Sequence, residues 1–526
     1  MSVNPTKIIF LWHMHQPYYK HPDENYYVLP WVRLHAVKDY YGMAKTVEKF
    51  EKIKVAFNFS GILLHQLFDY VNNRAEDYYS MLSLRDAQHL DKKEKDFIVR
   101  RFFSINFERF ILNNRRYHQL YNKKMSSPQR FDAQEISDIM ALFNLCWFHP
   151  YTIRNDKNLK DLIRKGRYYT TDDRAYIINK QYEVISEIFP LYRKLVKENK
   201  VELTVTPYHH PIMPLIYDTD ILKDTPYLKM PAHRFSLPSD CRWHLQKSKE
   251  LFKDIFGKFP QGSWPSEGSV SEPVCDIYAQ EKFDWIATDE AILFKSLAGP
   301  SVSYDMIKQQ RRLIYHPYKF KDISIFFRDR NLSDAISFTY QGWEDPVFAA
   351  NDLLEHFKKT HYHLKGIFKE NVISIIMDGE NAWEYYKNNA VEFLETIYSA
   401  LEKSSILSST LPSEFLAGFE PKNLDRLASG SWINGDFGVW IGSEKNNSYW
   451  QLLNQIKALF KKHHVESDKL NMAKDYFHLI EGSDWFWWNT FEDIEGEFKK
   501  IFFSYVEKIY SLLGGKFELP AINKLS

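Results

Sequence analysis

Short apolar runs that stop abruptly in polar or charged residues recur along the chain. Residues 7–12 (KIIFLW) end in His13-Met14-His15-Gln16-Pro17, and residues 55–60 (VAFNFS) end at Gly61. Residues 201–206 (VELTVT) alternate and run into Pro207-Tyr208-His209-His210-Pro211. A short run meets Gly262-Ser263-Trp264-Pro265-Ser266-Glu267, residues 283–290 end in Asp289-Glu290, and residues 323–327 end in Arg328-Asp329-Arg330. The last, residues 373–377 (ISIIM), ends in Asp378-Gly379-Glu380 with Trp383, Tyr385 and Tyr386 close behind. Strands buried on both faces read as such runs, and functional residues collect where parallel strands end.

The spacing between the runs is helical. Ile136, Ile139, Met140 and Phe143 form an i, i+3, i+4, i+7 stripe. Residues from about 79 to 199 are read as one helical insertion between two strands. Val391, Leu394, Ile397, Tyr398 and Leu401 share a helix face after the last strand, and several more helices follow. About seven strand ends with helices between them predict an α/β fold, a parallel (β/α) barrel with a helical C-terminal domain. The expected division is 1–388 for the barrel with its insertion and 389–526 for the helical domain, which lends residues to the cleft.

Composition narrows the function classes. Lys+Arg at 69 against Asp+Glu at 68 leave no global field for nucleic acid or an anionic membrane, and neither is expected as a partner. No apolar stretch has the length of a membrane span or a signal peptide. Three separated cysteines, Cys146, Cys241 and Cys275, form neither a disulfide framework nor a zinc pattern. A cytoplasmic location is the expectation. Aromatic residues at 16% exceed what a core needs and suit the faces of sugar rings.

The strand ends carry the candidate chemistry. His13 and His15 are two apart and point the same way on an extended backbone, as metal ligands or as sugar contacts. His209 and His210 follow another strand in the same manner. Trp264-Pro265-Ser266-Glu267-Gly268 presents a carboxylate in a turn stiffened by proline and opened by glycine. Glu267 and Asp378, from two strand ends, form a carboxylate pair of the kind that flanks a glycosidic bond: one protonated, one ionised. Metal hydrolases also use strand-end acids, and a glucan-binding protein would need neither. Asp484-Trp485-Phe486-Trp487-Trp488 reads as an aromatic platform that the C-terminal region brings to the barrel mouth, or as packing between the two parts.

Nine segments in order resemble family 57 glycoside hydrolases, the α-amylase and amylopullulanase-like group. They are HMHQPYY (13–19), LPWVRLHAVKDYY (29–41), VELTVTPYHHPIMPL (201–215), GSWPSEGSVSEP (262–273), WIATDEAIL (285–293), FFRDRNLSDAISF (326–338), MDGENAWEYY (377–386), GSWINGDFGVWIG (430–442) and GSDWFWW (482–488). The resemblance implies an incomplete (β/α)7 barrel followed by a helical bundle. It implies a retaining hydrolase of α-1,4 bonds in glycogen, starch or maltodextrins, with 4-α-glucanotransferase as the neighbouring activity. Glu267 matches the nucleophile and Asp378 the acid/base. His15 and His210 match histidines near the cleaved sugar. His13, Gln16, Arg33, His35, Trp264, Glu380, Trp383, Asp484 and Trp485 are expected as further substrate contacts or their supports. No metal and no cofactor are assigned. The chain departs from the family pattern after Trp488, where Asn489-Thr490-Phe491-Glu492-Asp493 replaces a Gly-Asp-Asp-His-like run. Any substrate contact built from that run is expected to differ.

Overall fold

A computed structural model describes residues 4–128, 130–225, 227–299, 302–367, 370–380, 382–462, 467–491, 493 and 496–517. Asn381 of the DGEN segment and Glu492 of the divergent run lie outside the described residues.

Seven parallel strands stand where the apolar runs predict them: β1 (Thr6–Met14), β2 (Val55–Ser60), β3 (Val201–Thr206), β4 (Gly262–Ser263), β5 (Trp285–Asp289), β6 (Ile323–Arg328) and β7 (Val372–Asp378). They form two sheets, one ordered β3-β2-β1-β7 and the other β4-β5-β6. The register sets His13 of β1 opposite both Asn58 of β2 and Asp378 of β7. In the second sheet Asp289 lies opposite Arg328.

Side chains close the two seams between the sheets. At β3/β4, Ser263 Oγ donates to Val205 O at 2.6 Å and Thr206 Oγ1 donates to Trp264 O at 2.7 Å. At β6/β7, Arg328 Nε donates to Ile376 O at 2.6 Å and Asp329 N to Ser374 O at 2.9 Å. The result is an incomplete (β/α)7 barrel.

Strand alternation here separates the inside of the barrel from the helix layer, so neither face meets water. Ile9, Leu11, Ala56, Trp264, Trp285, Ala287, Phe326, Val372 and Ile376 fill the interior, and Phe415 joins them from the helix Pro412–Gly418. The polar positions of β3 are buried too. Glu202 accepts from Trp285 Nε1 at 3.0 Å, Ser413 N at 2.9 Å and Ser413 Oγ at 2.7 Å. Gly262 is required by close approach, because a Cβ there would lie 1.9 Å from the Trp285 ring.

The insertion between β2 and β3 is helical, from Tyr78–Leu84 to Ile188–Lys197. Past residue 389, the helix Val391–Lys403 packs against the helix Pro346–Leu364, and Leu407–Ser409 pairs in parallel with the start of β1. Four later helices follow, Glu444–Lys462, Ser467–Ile480, Ser483–Thr490 and Glu497–Leu512, and the last two line the cleft described next. No helix among the described residues is long and apolar enough to cross a membrane.

Candidate active site

A cleft of about 660 Å³ opens at the C-terminal ends of the strands. Its floor carries His13, His15, Gln16, His210, Glu267, Asp378 and Glu380. The insertion side contributes Trp31, His35, Tyr79 and Arg101, and the C-terminal helices contribute Asp484, Trp487, Trp488, Glu497 and Phe498. Arg101 Nη2 donates to Glu497 Oε1 at 2.9 Å, so an ion pair joins the two walls.

Glu267 sits on a single turn after β4 with φ +56°, in the left-handed region that disfavours side chains. His210, after β3, has φ +57°. Its Nδ1 lies 3.8 Å from Glu267 Oε1. Backbone strain at two facing residues is held by what surrounds them, and such strain concentrates at functional sites. Trp432 supplies much of that hold: its backbone N–H donates to Glu267 O at 2.9 Å and its indole N–H to Glu267 Oε2 at 2.8 Å.

Burial raises both acids. Glu267 is pushed up to about 8 by desolvation, with the Asp378 charge adding to the effect and the Trp432 N–H opposing it. Asp378 is pushed up to about 6 by desolvation, against the pull of His15 and Arg328. Desolvation disfavours the charged form of each, and the Asp378 charge further disfavours ionisation of Glu267. Glu380 is buried below them and held well above the usual carboxylate range by desolvation. It accepts from Gln16 Nε2 at 2.9 Å and from His15 N at 3.2 Å.

The histidines form a wired stack. Asn58 Nδ2 donates to Thr204 Oγ1, so Asn58 Oδ1 is the acceptor for His13 Nδ1–H at 2.6 Å. Burial holds His13 down at about 3 and His210 well below its ordinary value, so both rings are neutral. His13 Nε2 then accepts from His210 Nε2 at 3.2 Å, and His210 Nδ1 accepts from Ser483 Oγ at 2.8 Å. The His15 ring stacks on His210 at 3.8 Å and bonds Ser60 Oγ at 2.8 Å and Asp484 Oδ1 at 2.9 Å. All six ring nitrogens have protein partners, which favours sugar-facing imidazoles over metal ligands for this stack.

Four expected contacts lie elsewhere. Arg33 is fully buried and clamps the insertion. Its Nε donates to Asp77 Oδ2 at 2.5 Å, Nη2 to Asp77 Oδ1 at 3.0 Å and Nη1 to Asn144 Oδ1 at 3.0 Å, with Gln181 a further partner. Trp264, just past β4, packs among the interior side chains of the barrel, while Glu267 on the following turn faces the cleft. Trp383 is buried edge-on against Trp12, with its N–H on Gly379 O at 2.9 Å. Trp485 is buried, its N–H on Leu479 O at 2.8 Å. Of the C-terminal tryptophans it is Trp487 and Trp488 that face the cleft.

Two residues in quoted segments were passed over. Trp432 lies within GSWINGDFGVWIG, and Arg328 ends β6, its guanidinium 5.2 Å from the Trp432 ring. The charged strand end was visible in the sequence for Arg328. Nothing local marks Trp432, which reaches Glu267 only through the fold.

The chain matches the model of glycosyl hydrolase family 57 over residues 9–428 and belongs to that family, which makes it a glycoside hydrolase-class enzyme. Among solved structures it is similar to the α-amylase AmyC of Thermotoga maritima, with a TM-score of 0.62 at 15% identity, covering 97% of this chain and 93% of that one. It is similar to a family 57 branching enzyme of Pyrococcus horikoshii, with a TM-score of 0.61 at 14% identity, covering 96% and 89%. It is also similar to the 4-alpha-glucanotransferase of Thermococcus litoralis, with a TM-score of 0.52 at 14% identity, covering 97% of this chain and 60% of that one. A search of curated proteins finds no match.

Proposed function

We propose that this enzyme cleaves α-1,4-glucosidic bonds of α-glucans by double displacement, with Glu267 as nucleophile and Asp378 as acid/base. The observation that carries this reading is that Glu267 and Asp378, from two strand ends, line one cleft floor, with desolvation raising both carboxyls. Asp378 gives its proton to the leaving glucosidic oxygen as a Glu267 oxygen bonds to the anomeric carbon. Asp378, now ionised, takes a proton from the acceptor hydroxyl. That oxygen bonds the anomeric carbon and frees Glu267.

Desolvation pushes both carboxyls toward the neutral form, and attack requires Glu267 ionised. Trp432 Nε1–H favours the Glu267 anion, and positive charge developing at the anomeric carbon favours it further. Both favour an ionised Glu267 beside a protonated Asp378 as the bond breaks.

The acceptor is water in a hydrolase and a sugar hydroxyl in a transferase. The aromatic wall of Trp432, Trp487, Trp488 and Phe498 offers an acceptor sugar flat faces and crowds out water, which supports transfer as the second reading. The similar structures include proteins described as amylase, branching enzyme and glucanotransferase. Incubation with maltoheptaose separates the two: new reducing ends at each turnover support hydrolysis, and longer chains without new ends support transfer. Full turnover by Glu267→Ala or Asp378→Ala overturns both.

A further inference from the structure

A second cluster of titratable side chains lies behind the cleft, where the helix Pro238–Phe256, packed on β3, meets the end of the helix Ser467–Ile480. Donor atoms of Asp240, His478 and Glu481 all lie within 4.8 Å of one another. His478 Nε2 is 3.6 Å from Asp240 Oδ2. The Asp240 and Glu481 carboxyls are within hydrogen-bonding reach of each other.

His244 closes the cluster from behind. Its Nδ1 accepts from His209 N at 3.3 Å, so the neutral ring keeps its proton on Nε2 and donates it to Glu481 Oε2 at 3.0 Å. Glu481 is 1% exposed, and its Oε1 has no hydrogen-bond partner. The His478 ring is fixed by stacking on Trp243 at 3.8 Å and 17°, with its buried Nδ1 also unpartnered. The nearby Lys457 donates to Ser236 O at 2.8 Å rather than to either acid.

Two carboxyls pressed together in a dry site need a proton or a cation between them. A proton between the two acids gives the imidazole no role, whereas a cation takes a ligand atom from all three side chains. In a tetrahedral zinc site with bonds of about 2.0–2.1 Å, donor atoms stand about 3.3 Å apart, close to the separation of His478 and Asp240.

We propose that Asp240, His478 and Glu481 bind a divalent transition-metal ion, with His244 orienting Glu481 as the outer partner of a metal ligand does. The ion ties the C-terminal helices to the barrel just before Gly482, which pairs with Pro211, and Asp484, which holds His15. It is a structural site, separate from the carboxylate pair.

The test uses zinc on the full-length protein, stripped with chelator and then dialysed against micromolar zinc. Elemental analysis is expected to find one zinc per chain that survives desalting, and thermal unfolding to show Tm raised by several degrees over the stripped protein. Glu481→Gln, which keeps the shape and the His244 hydrogen bond, and His478→Ala are each expected to lose both the zinc and the zinc-dependent rise in Tm. Glu267→Gln is expected to keep both. Wild-type protein that holds no zinc, with Tm unmoved, overturns the proposal and leaves a proton between the acids. So does zinc retained in full by both variants, because the ion then sits elsewhere.

Discussion

The indole N–H of Trp432 donates to Glu267 Oε2 at 2.8 Å while its ring lies 5.2 Å from the Arg328 guanidinium. A cation thus backs the ring that stabilises the ionised form of Glu267, and Arg328 also pulls Asp378 downward. Trp432→Phe keeps the flat face and removes the donor. Without it Glu267, the higher of the pair, titrates higher still, so the alkaline limb of the kcat/KM profile moves to higher pH. A hydrogen bond to a charged group contributes about 1.5–3 kcal/mol, so kcat/KM is expected to fall about 10–100-fold. A pH–rate profile on maltoheptaose checks both; an unmoved alkaline limb counts against the role.

Asp378 is proposed to protonate the leaving oxygen, and general acid catalysis contributes roughly 10²–10⁴-fold. Asp378→Ala is expected to lose that much on maltoheptaose and far less on an α-glucosyl fluoride, whose leaving group needs no proton. Equal losses on the two substrates would argue for a different acid.

The raised carboxyls also couple stability to pH. Glu267, held up at about 8, binds a proton more readily in the folded chain than in the unfolded one. Its favourable contribution is full below the unfolded value and is lost as pH rises through the folded value. Glu267→Gln cannot ionise, so its Tm is expected to exceed that of the wild type at pH 9 and to match it near pH 4. Thermal unfolding at the two pH values decides; a constant difference would mean that the gain is unrelated to ionisation.

Arg33 is expected to hold the fold together and not to touch sugar. Arg33→Met leaves Asp77 buried without its cation, a loss of about 3–5 kcal/mol. Denaturant unfolding should show that loss, while KM of the folded fraction stays at the wild-type value. A raised KM with normal stability would return Arg33 to the cleft.

Trp488 stacks on Phe498 at 4.4 Å and 13° along the cleft wall. Trp488→Ala is expected to raise KM for maltoheptaose about tenfold, equivalent to ~1.4 kcal/mol, and to lower the ratio of transfer to hydrolysis. An unchanged product distribution would remove this wall from acceptor binding.

The barrel was legible in the sequence because its signal is local. Seven runs such as residues 7–12 and 373–377 are short, apolar and cut off by polar residues, and that pattern follows from burial on both faces. The helical stripe of the insertion and the carboxylates at the ends of β4 and β7 are local in the same sense. The residues that tertiary structure decided are those whose surroundings come from far along the chain. Arg33 is expected from the resemblance as a substrate contact or its support, and it is the fold that brings Asp77 and Asn144 onto it. Trp485 and Trp488 are indistinguishable as letters, yet the helix Ser483–Thr490 turns the first into the core and the second into the cleft. Trp432, 165 positions from Glu267, meets it only across the closed barrel mouth. Periodicity records which face of its own element a side chain takes; it carries no record of what another element brings to that face.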